Sequence, residues 1–265
     1  MPFTKRRSGA VLAIERKNKI LGRLREEKSV LVGELAKEFG VSEETIRRDL
    51  DKLEKESGVI KTYGGALLRD GTERELPYVE RRKINVEAKK AIAALAARLV
   101  QDGDSLILDA SSTAVFIARA LKSKKNITLV TNSAEVLAEL SDAAGWRILS
   151  TGGVLRGSSC ALVGPQAEES LSRYRVDKAI LSCKGIDAAA GFFDADDSQA
   201  SVKRKMLSCA GQKIFAADVS KFGRRAFAQI CSLSAADAVL TDAEPSREWL
   251  TAFAENNTDV LYPQK

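Results

Sequence analysis

The 265-residue sequence contains no histidine. Its absence removes Ser–His and Cys–His nucleophile pairs, the commonest general base and a principal zinc ligand. Any proton transfer would fall to carboxylates and lysines. Cysteine is scarce and scattered: Cys160, Cys183, Cys209 and Cys231 stand more than twenty residues apart with no C-x-x-C, which argues against a zinc site. They read as reduced thiols, buried as small hydrophobes in a reducing cytosol. Long apolar runs are missing too. Stretches such as Ala91–Ala97 and Ser105–Leu108 fall far short of the ~20 residues that span a bilayer, so a soluble, cytoplasmic chain with no membrane partner is expected. The basic start, Met1–Arg7, is not followed by a signal-like core, because Glu15, Arg16, Lys17 and Lys19 interrupt Val11–Leu24. No motif asks for a cofactor or a metal.

What is present is an ordinary globular balance, 45 % hydrophobic and 29 % charged, which excludes disorder and rod-like folds. The length suits two domains. The net charge of +6 is concentrated at one end. Residues 1–23 hold Lys5, Arg6, Arg7, Arg16, Lys17, Lys19 and Arg23 against Glu15 alone, a balance suited to a polyanion.

The first domain is expected over 11–68. Val11, Leu12, Ile14, Ile20, Leu21 and Leu24 mark one helix face, and Leu31, Leu35, Ala36 and Phe39 a second, stopped by Gly40. Ser42 offers an N-cap to a third helix reaching about Lys55, with Ile46, Leu50 and Leu53 inward. Two short helices meeting at Gly40-Val41, with small Ala36 at the turn, meet the steric needs of a helix-turn-helix at about 30–49. The β-rich Val59–Tyr63 closing on Gly64-Gly65 reads as a wing. The outward face of the third helix then offers Glu44, Thr45, Arg47, Arg48 and Lys52 to base edges and phosphates, with Lys61 and Tyr63 on the wing. A plainer reading pairs Arg47 and Arg48 with Glu43, Glu44 or Asp51 on a solvated helix.

Charged, aperiodic residues 69–85 around Pro77 read as a linker. From 86 to 265, helices alternate with short apolar strands at Ser105–Leu108, Ile127–Val130, Trp146–Leu149, Lys178–Ser182, Lys213–Ala217 and Ala238–Leu240. This pattern predicts an α/β domain with a mostly parallel sheet. Small polar clusters follow five of these strands: Asp109 to Thr113 with Ser111 and Ser112, Thr131-Asn132-Ser133, Thr151-Gly152-Gly153, Lys184-Gly185 to Asp187, and Asp218 to Lys221. In an open α/β sheet these converge on one rim. The hydroxyls before the helix at Ala114 favour a phosphate. Lys184 and Lys221 suit an anion, and Asp109, Asn132, Asp187 and Asp218 suit sugar hydroxyls. Taken singly, each cluster also reads as an ordinary capped turn.

The run Val41-Ser42-Glu43-Glu44-Thr45-Ile46-Arg47-Arg48-Asp49-Leu50, followed by Tyr63-Gly64-Gly65-Ala66, resembles the DeoR/GlpR family of bacterial repressors, with tyrosine where histidine is usual. The resemblance continues from about Lys89 to Ala243. Asp109-Ala110-Ser111-Ser112-Thr113 stands for a D-x-G-S-T phosphate loop with serine in place of glycine. Thr131-Asn132, Thr151-Gly152-Gly153 and Asp218–Gly223 match unaltered. It implies a winged helix-turn-helix joined to a domain similar to ribose-5-phosphate isomerase. It also implies a homo-oligomer, dimer or tetramer, that represses a carbohydrate operon on double-stranded operator DNA until a phosphorylated sugar releases it. Lys184, where a small residue is commoner, and Gln199, where glutamate is commoner, point toward a more anionic effector. The alternatives are a sugar-phosphate isomerase-like enzyme with a DNA-binding appendage, and a protein-docking module in place of a DNA reader.

Overall fold

A computed structural model describes residues 13–27, 29–57, 59–62, 64–68 and 76–264. The chain divides into two compact units, Met1–Arg74 and Glu75–Lys265.

In the first unit, α1 (Ala13–Glu27), β1 (Ser29–Leu31), α2 (Val32–Phe39), α3 (Glu43–Ser57), β2 (Val59–Thr62) and β3 (Gly65–Leu68) follow in order, with the strands paired antiparallel as β1-β3-β2. Gly40 ends α2 in the left-handed region at φ 63°, a conformation that costs glycine least, and the Val41 amide returns to Ala36 O at 3.1 Å. The Thr45 amide donates to Ser42 Oγ at 3.3 Å, so Ser42 caps α3 as expected. Ile20, Leu24, Leu35, Ile46 and Leu50 are fully buried between the three helices. The strand β1, which adds a third member to the wing hairpin, has no distinguishing pattern in three residues.

The second unit begins with α4 (Tyr78–Arg81), α5 (Val86–Leu99), β4 (Ser105–Leu108), α6 (Ser112–Leu121), β5 (Thr128–Thr131), α7 (Ala134–Glu139) and β6 (Arg147–Ser150). The chain continues with the hairpin β7 (Val154–Arg156) and β8 (Ala161–Val163), then α8 (Pro165–Ser172), β9 (Val176–Leu181), β10 (Gly185–Asp187), β11 (Gly191–Asp194) and α9 (Asp197–Ser208). It closes with β12 (Ala210–Ala216), β13 (Ala228–Cys231), β14 (Ala238–Leu240), α10 (Arg247–Glu255) and β15 (Asp259–Leu261). The α/β class is as expected. The main sheet runs β15-β14-β12-β9-β4-β5-β6, parallel throughout.

Successive strand residues enter opposite cores, because side chains alternate across a sheet. Ile107, Ala179, Leu181 and Phe215 join one apolar cluster, and Leu106, Leu108, Ile180 and Ile214 the other. Both faces are therefore covered, which is why these strands read as unbroken apolar runs. From β4 the chain moves outward through β5 and β6, then returns to β9 on the other side of β4 and moves outward again. Strand order reverses between β4 and β9, the place where open α/β sheets carry their ligand crevice.

Two expectations need correction. The stretch assigned to a linker, 69–85, is not uniformly irregular. Residues 69–75 lie outside the described part, but Tyr78–Arg81 form a helix, and Tyr78 is 3 % exposed within the second unit's core, its amide bonded to Ser158 O at 2.7 Å. One buried aromatic in a charged stretch gives too weak a period to detect. Lys184–Asp187 also does not simply follow the β9 strand end: Gly185–Asp187 form β10, which pairs antiparallel in a separate sheet ordered β10-β11-β13. The hairpin β7–β8 and the edge strand β15 were likewise not anticipated.

Candidate functional site

On the first unit, α3 turns Glu44, Arg47, Arg48 and Lys52 outward, while Thr45 is half-buried with its Oγ1 2.9 Å from Ser42 Oγ. Arg47 and Arg48 bond Glu43 and Glu44 one turn back, at 3.2 and 3.3 Å, all four being exposed. Such solvated pairs are worth under about 1 kcal/mol and exchange readily for a phosphate. Lys52 has no partner among the described residues. Lys61 joins α3 to the wing through the Asp51 carboxylate, and its own amide donates to Glu54 Oε1 at 3.1 Å. Tyr63 lies outside the described residues.

Two cations of the basic N-terminal stretch serve the fold. Arg16 Nε meets Asp49 Oδ2 at 2.6 Å, both side chains under 10 % exposed. Arg23 bonds Glu27 and Glu38. The Arg16–Asp49 pair ties α1 to the buried side of α3. It went unread because neither residue stands out among so many charges.

In the second unit the strand ends meet around the β4–β9 reversal. Asp109, 1 % exposed, accepts from the Ser111 amide at 3.3 Å and the Ser182 amide at 3.0 Å, binding the ends of β4 and β9 together. Ser182 Oγ in turn receives Lys221 Nζ at 2.9 Å from beyond β12. Ser111 caps α6, accepting from the Ala114 amide at 3.0 Å. That leaves the hydroxyls of Ser112 and Thr113, in the first turn of α6, without a hydrogen bond among the described residues. Thr131 Oγ1 donates to Leu108 O at 2.7 Å and accepts from the Ser133 amide, so it fastens β5 to β4.

Asn132, 3 % exposed, donates Nδ2 to Leu162 O at 3.0 Å. Its Oδ1 is the one buried side-chain oxygen or nitrogen among the described residues with no partner. Gly152 and Gly153 take φ 64° and 107°. A Cβ at Gly153 would stand 2.6 Å from Val163 O, so the turn after β6 needs glycine to lie against β8.

One buried lysine serves two buried carboxylates. Lys203, on α9 and 8 % exposed, meets Asp194 at 2.5 Å and Asp109 at 3.0 Å, and donates to Ser182 O at 2.7 Å. Burial alone would pull its pKa down, but the two carboxylates outweigh burial and hold it above the ordinary lysine value. Asp218 Oδ1 accepts from the Ser220 amide at 3.2 Å and from Asn85 Nδ2 at 3.1 Å. Burial pushes the Asp218 carboxyl up, yet Lys221 and these hydrogen bonds prevail and keep it below the ordinary carboxylate value.

Lys184 is half-buried, and its amide donates to Phe193 O at 2.7 Å. Gly185 passes so close to Arg224 O that a Cβ would stand 2.4 Å away. Asp187 ends β10, in the second sheet. It turns the β10–β11 hairpin through the Ala189 and Ala190 amides and holds Arg225 at 2.7 and 3.1 Å. Arg225 is accordingly the first cause of its lowered pKa. Sequence reasoning missed Lys203 and Asp194, the centre of this network. The available signal was a lysine on a buried helix face, four residues after Gln199 and three before Met206.

No group of three or more cysteines and carboxylates among the described residues is arranged to hold a metal, and no described helix is long and apolar enough to cross a membrane. The family model of the DeoR-like helix-turn-helix domain matches residues 16–72, and that of the DeoR C terminal sensor domain matches residues 84–243. The chain belongs to the DeoR family. This DeoR-family protein is a DNA-binding transcription regulator and not an enzyme, and the isomerase alternative falls.

It is 43 % identical over 233 residues to the HTH-type transcriptional regulator YulB of Bacillus subtilis, covering 88 % of this chain and 90 % of that one. It is 36 % identical to the transcriptional repressor GlcR of the same organism, over 95 % and 96 % of the two chains. To the glycerol-3-phosphate regulon repressor of Escherichia coli it is 32 % identical, over 87 % and 91 %. Among solved structures, ribose 5-phosphate isomerase A of Methanocaldococcus jannaschii is similar at a TM-score of 0.39 and 17 % identity, over 52 % of this chain and 55 % of that one.

Proposed function

We infer that this regulator represses an operon of carbohydrate catabolism in the cytoplasm, acting as a homo-oligomer on double-stranded operator DNA, and that a phosphorylated sugar releases it. The named relatives include a glycerol-3-phosphate regulon repressor and a putative aga operon repressor. The DNA face comprises Glu44, Thr45, Arg47, Arg48 and Lys52 of α3, with Lys61 and Tyr63 on the wing. Arg47 and Arg48 are the residues suited to guanine edges and phosphates.

The observation that carries the effector reading is the buried Asn132 Oδ1. An unmet buried acceptor costs about 1–3 kcal/mol, and it lies one strand from the amino end of α6, where the dipole and the Ser112 and Thr113 hydroxyls favour phosphate. A ligand carrying both a hydroxyl donor and a phosphate satisfies both features. Lys221, held on Ser182 at the end of β9, supplies a positive charge, and Lys203 offsets one of the two buried carboxylates, Asp109 and Asp194.

Thermal unfolding of the C-terminal unit against a panel of sugar phosphates tests this reading. A binder at about 100 times its Kd adds about 2.7 kcal/mol, an upward shift of roughly 5–10 °C. Lys221→Ala and the pair Ser112→Ala, Thr113→Val should abolish the shift. If no sugar phosphate moves the transition, the effector reading is wrong.

A further inference from the structure

The chain enters the C-terminal unit through an elbow: α4, a turn over 82–85, then α5. Asn85 stands at the joint with φ 50° and ψ 44°, in the left-handed region. A residue just before a helix ordinarily takes extended backbone and folds its side-chain oxygen over the first-turn amides. Asn85 does neither. No side-chain cap forms on α5, and Nδ2 donates instead to Asp218 Oδ1 at 3.1 Å and Ser220 Oγ at 3.3 Å. The acceptor fixes the amide's orientation, since an ionised carboxylate only accepts. Both departures are costly, because asparagine tolerates the left-handed region without preferring it and the first-turn amides lose their cap.

The elbow is braced from within. Lys89 Nζ, on the second turn of α5 and 5 % exposed, donates to Arg81 O at 2.6 Å and to Ile84 O. The brace makes residues 81–89 one piece, and Asn85 is where that piece meets the loop of Asp218 and Lys221. This loop reaches Ser182 at the end of β9, beside the β4–β9 reversal. Asp218 Oδ2 accepts from no described residue, so a ligand hydroxyl can engage the same carboxylate that holds Asn85.

We propose that Asn85 is the coupling residue of this regulator: on Asp218 it holds the elbow in the DNA-binding state, and an effector that engages Asp218 and Lys221 frees it to cap α5. The released side chain has its own partners ready, the amides of Glu87 and Ala88, which supplies the two discrete arrangements that a switch requires. The proposal rests on the effector reading above and adds the route by which occupancy leaves the crevice. Asn85 is a positioning residue and touches no base of DNA.

The test is Asn85→Asp in the full chain, without any sugar. It removes the donor, sets a negative charge against Asp218 and keeps the ability to cap a helix. Affinity for a duplex from the chain's own promoter should fall 5–150-fold, the span of ordinary allosteric coupling. Amide exchange over 78–85 should quicken while that of Glu87 and Ala88 slows, the opposite signs that a merely structural defect would not produce. Should that variant fail to fold, the DNA affinity of Asn85→Gly decides, since it removes the clamp without adding charge and has no side chain with which to cap α5. Wild-type DNA affinity in either folded variant, or a uniform quickening across both segments in Asn85→Asp, overturns the proposal. Failure of the effector reading shows separately, as a wild-type protein that no sugar phosphate stabilises.

Discussion

Replacing Lys203 with methionine should unfold the sensor unit well before the DNA-binding unit. The lysine's side chain is 8 % exposed, and its ammonium lies 2.5 Å from Asp194 and 3.0 Å from Asp109, whose side chains are 7 % and 1 % exposed. Methionine fills much of the volume but leaves two carboxylates buried with no counter-charge, a change that costs about 3–5 kcal/mol when one partner of a buried ion pair is removed. For a unit of this size, each kcal/mol lowers the midpoint by roughly 2–4 °C, so a fall of about 6–20 °C is expected. Tryptophan fluorescence isolates the unit, because Trp146 and Trp249 both lie within it and the sequence holds no other tryptophan. Acidification should recover part of the loss, since a proton on either carboxyl replaces the missing charge. Asp194→Asn combined with Lys203→Met should cost less than the two single changes added together, by about 0.5–3 kcal/mol. A midpoint within a degree of wild type, or strictly additive losses, would refute the claim that this trio is one electrostatic unit.

Other outcomes follow from the same geometry. Arg16→Ala should strip the DNA-binding unit of about 3–5 kcal/mol and abolish duplex binding, whereas Arg16→Met with Asp49→Leu should restore its helical circular dichroism. Arg47→Ala and Arg48→Ala should each leave stability within about 0.5 kcal/mol of wild type. If they contact phosphates, each should also flatten the salt dependence of DNA binding by about one unit of slope. Lys89, whose pKa burial and nearby Lys221 push down to about 8, binds its proton less tightly folded than unfolded. The wild-type sensor unit should therefore gain stability as pH rises from about 8 toward the ordinary lysine value, and Lys89→Gln should flatten that rise. Asp218 has the opposite sign: its lowered pKa contributes stability above the ordinary aspartate value that is lost in more acid solution, so the cost of Asp218→Asn should be largest at neutral pH and shrink as the solution is acidified.

The legible parts of the sequence were those where one residue type serves one local purpose. Gly40 and Ser42 mark the turn of the helix-turn-helix because a left-handed stop and a cap are chemically distinctive. Ser105–Leu108 and Ala238–Leu240 read as strands to the residue because both their faces are buried. Long-range pairing was not legible. Lys203 and Asp194 are nine positions apart, on a helix and a strand whose meeting depends on the sheet, and Asn85 reaches Asp218 across 133 positions. Asp187 was grouped with the rim because it follows a strand in sequence, but the chain turns there into a second sheet and the carboxylate meets Arg225. Thr131 likewise reads as a rim hydroxyl, while both of its hydrogen-bonding capacities serve the sheet.

The most direct test of the account is the affinity of the full chain for its promoter duplex, followed by fluorescence anisotropy, with and without a sugar phosphate that raises the sensor unit's melting temperature. The account predicts a 5–150-fold loss of DNA affinity, absent in Lys221→Ala and matched without sugar by Asn85→Asp. A sugar phosphate that stabilises the sensor unit yet leaves DNA affinity untouched would contradict it.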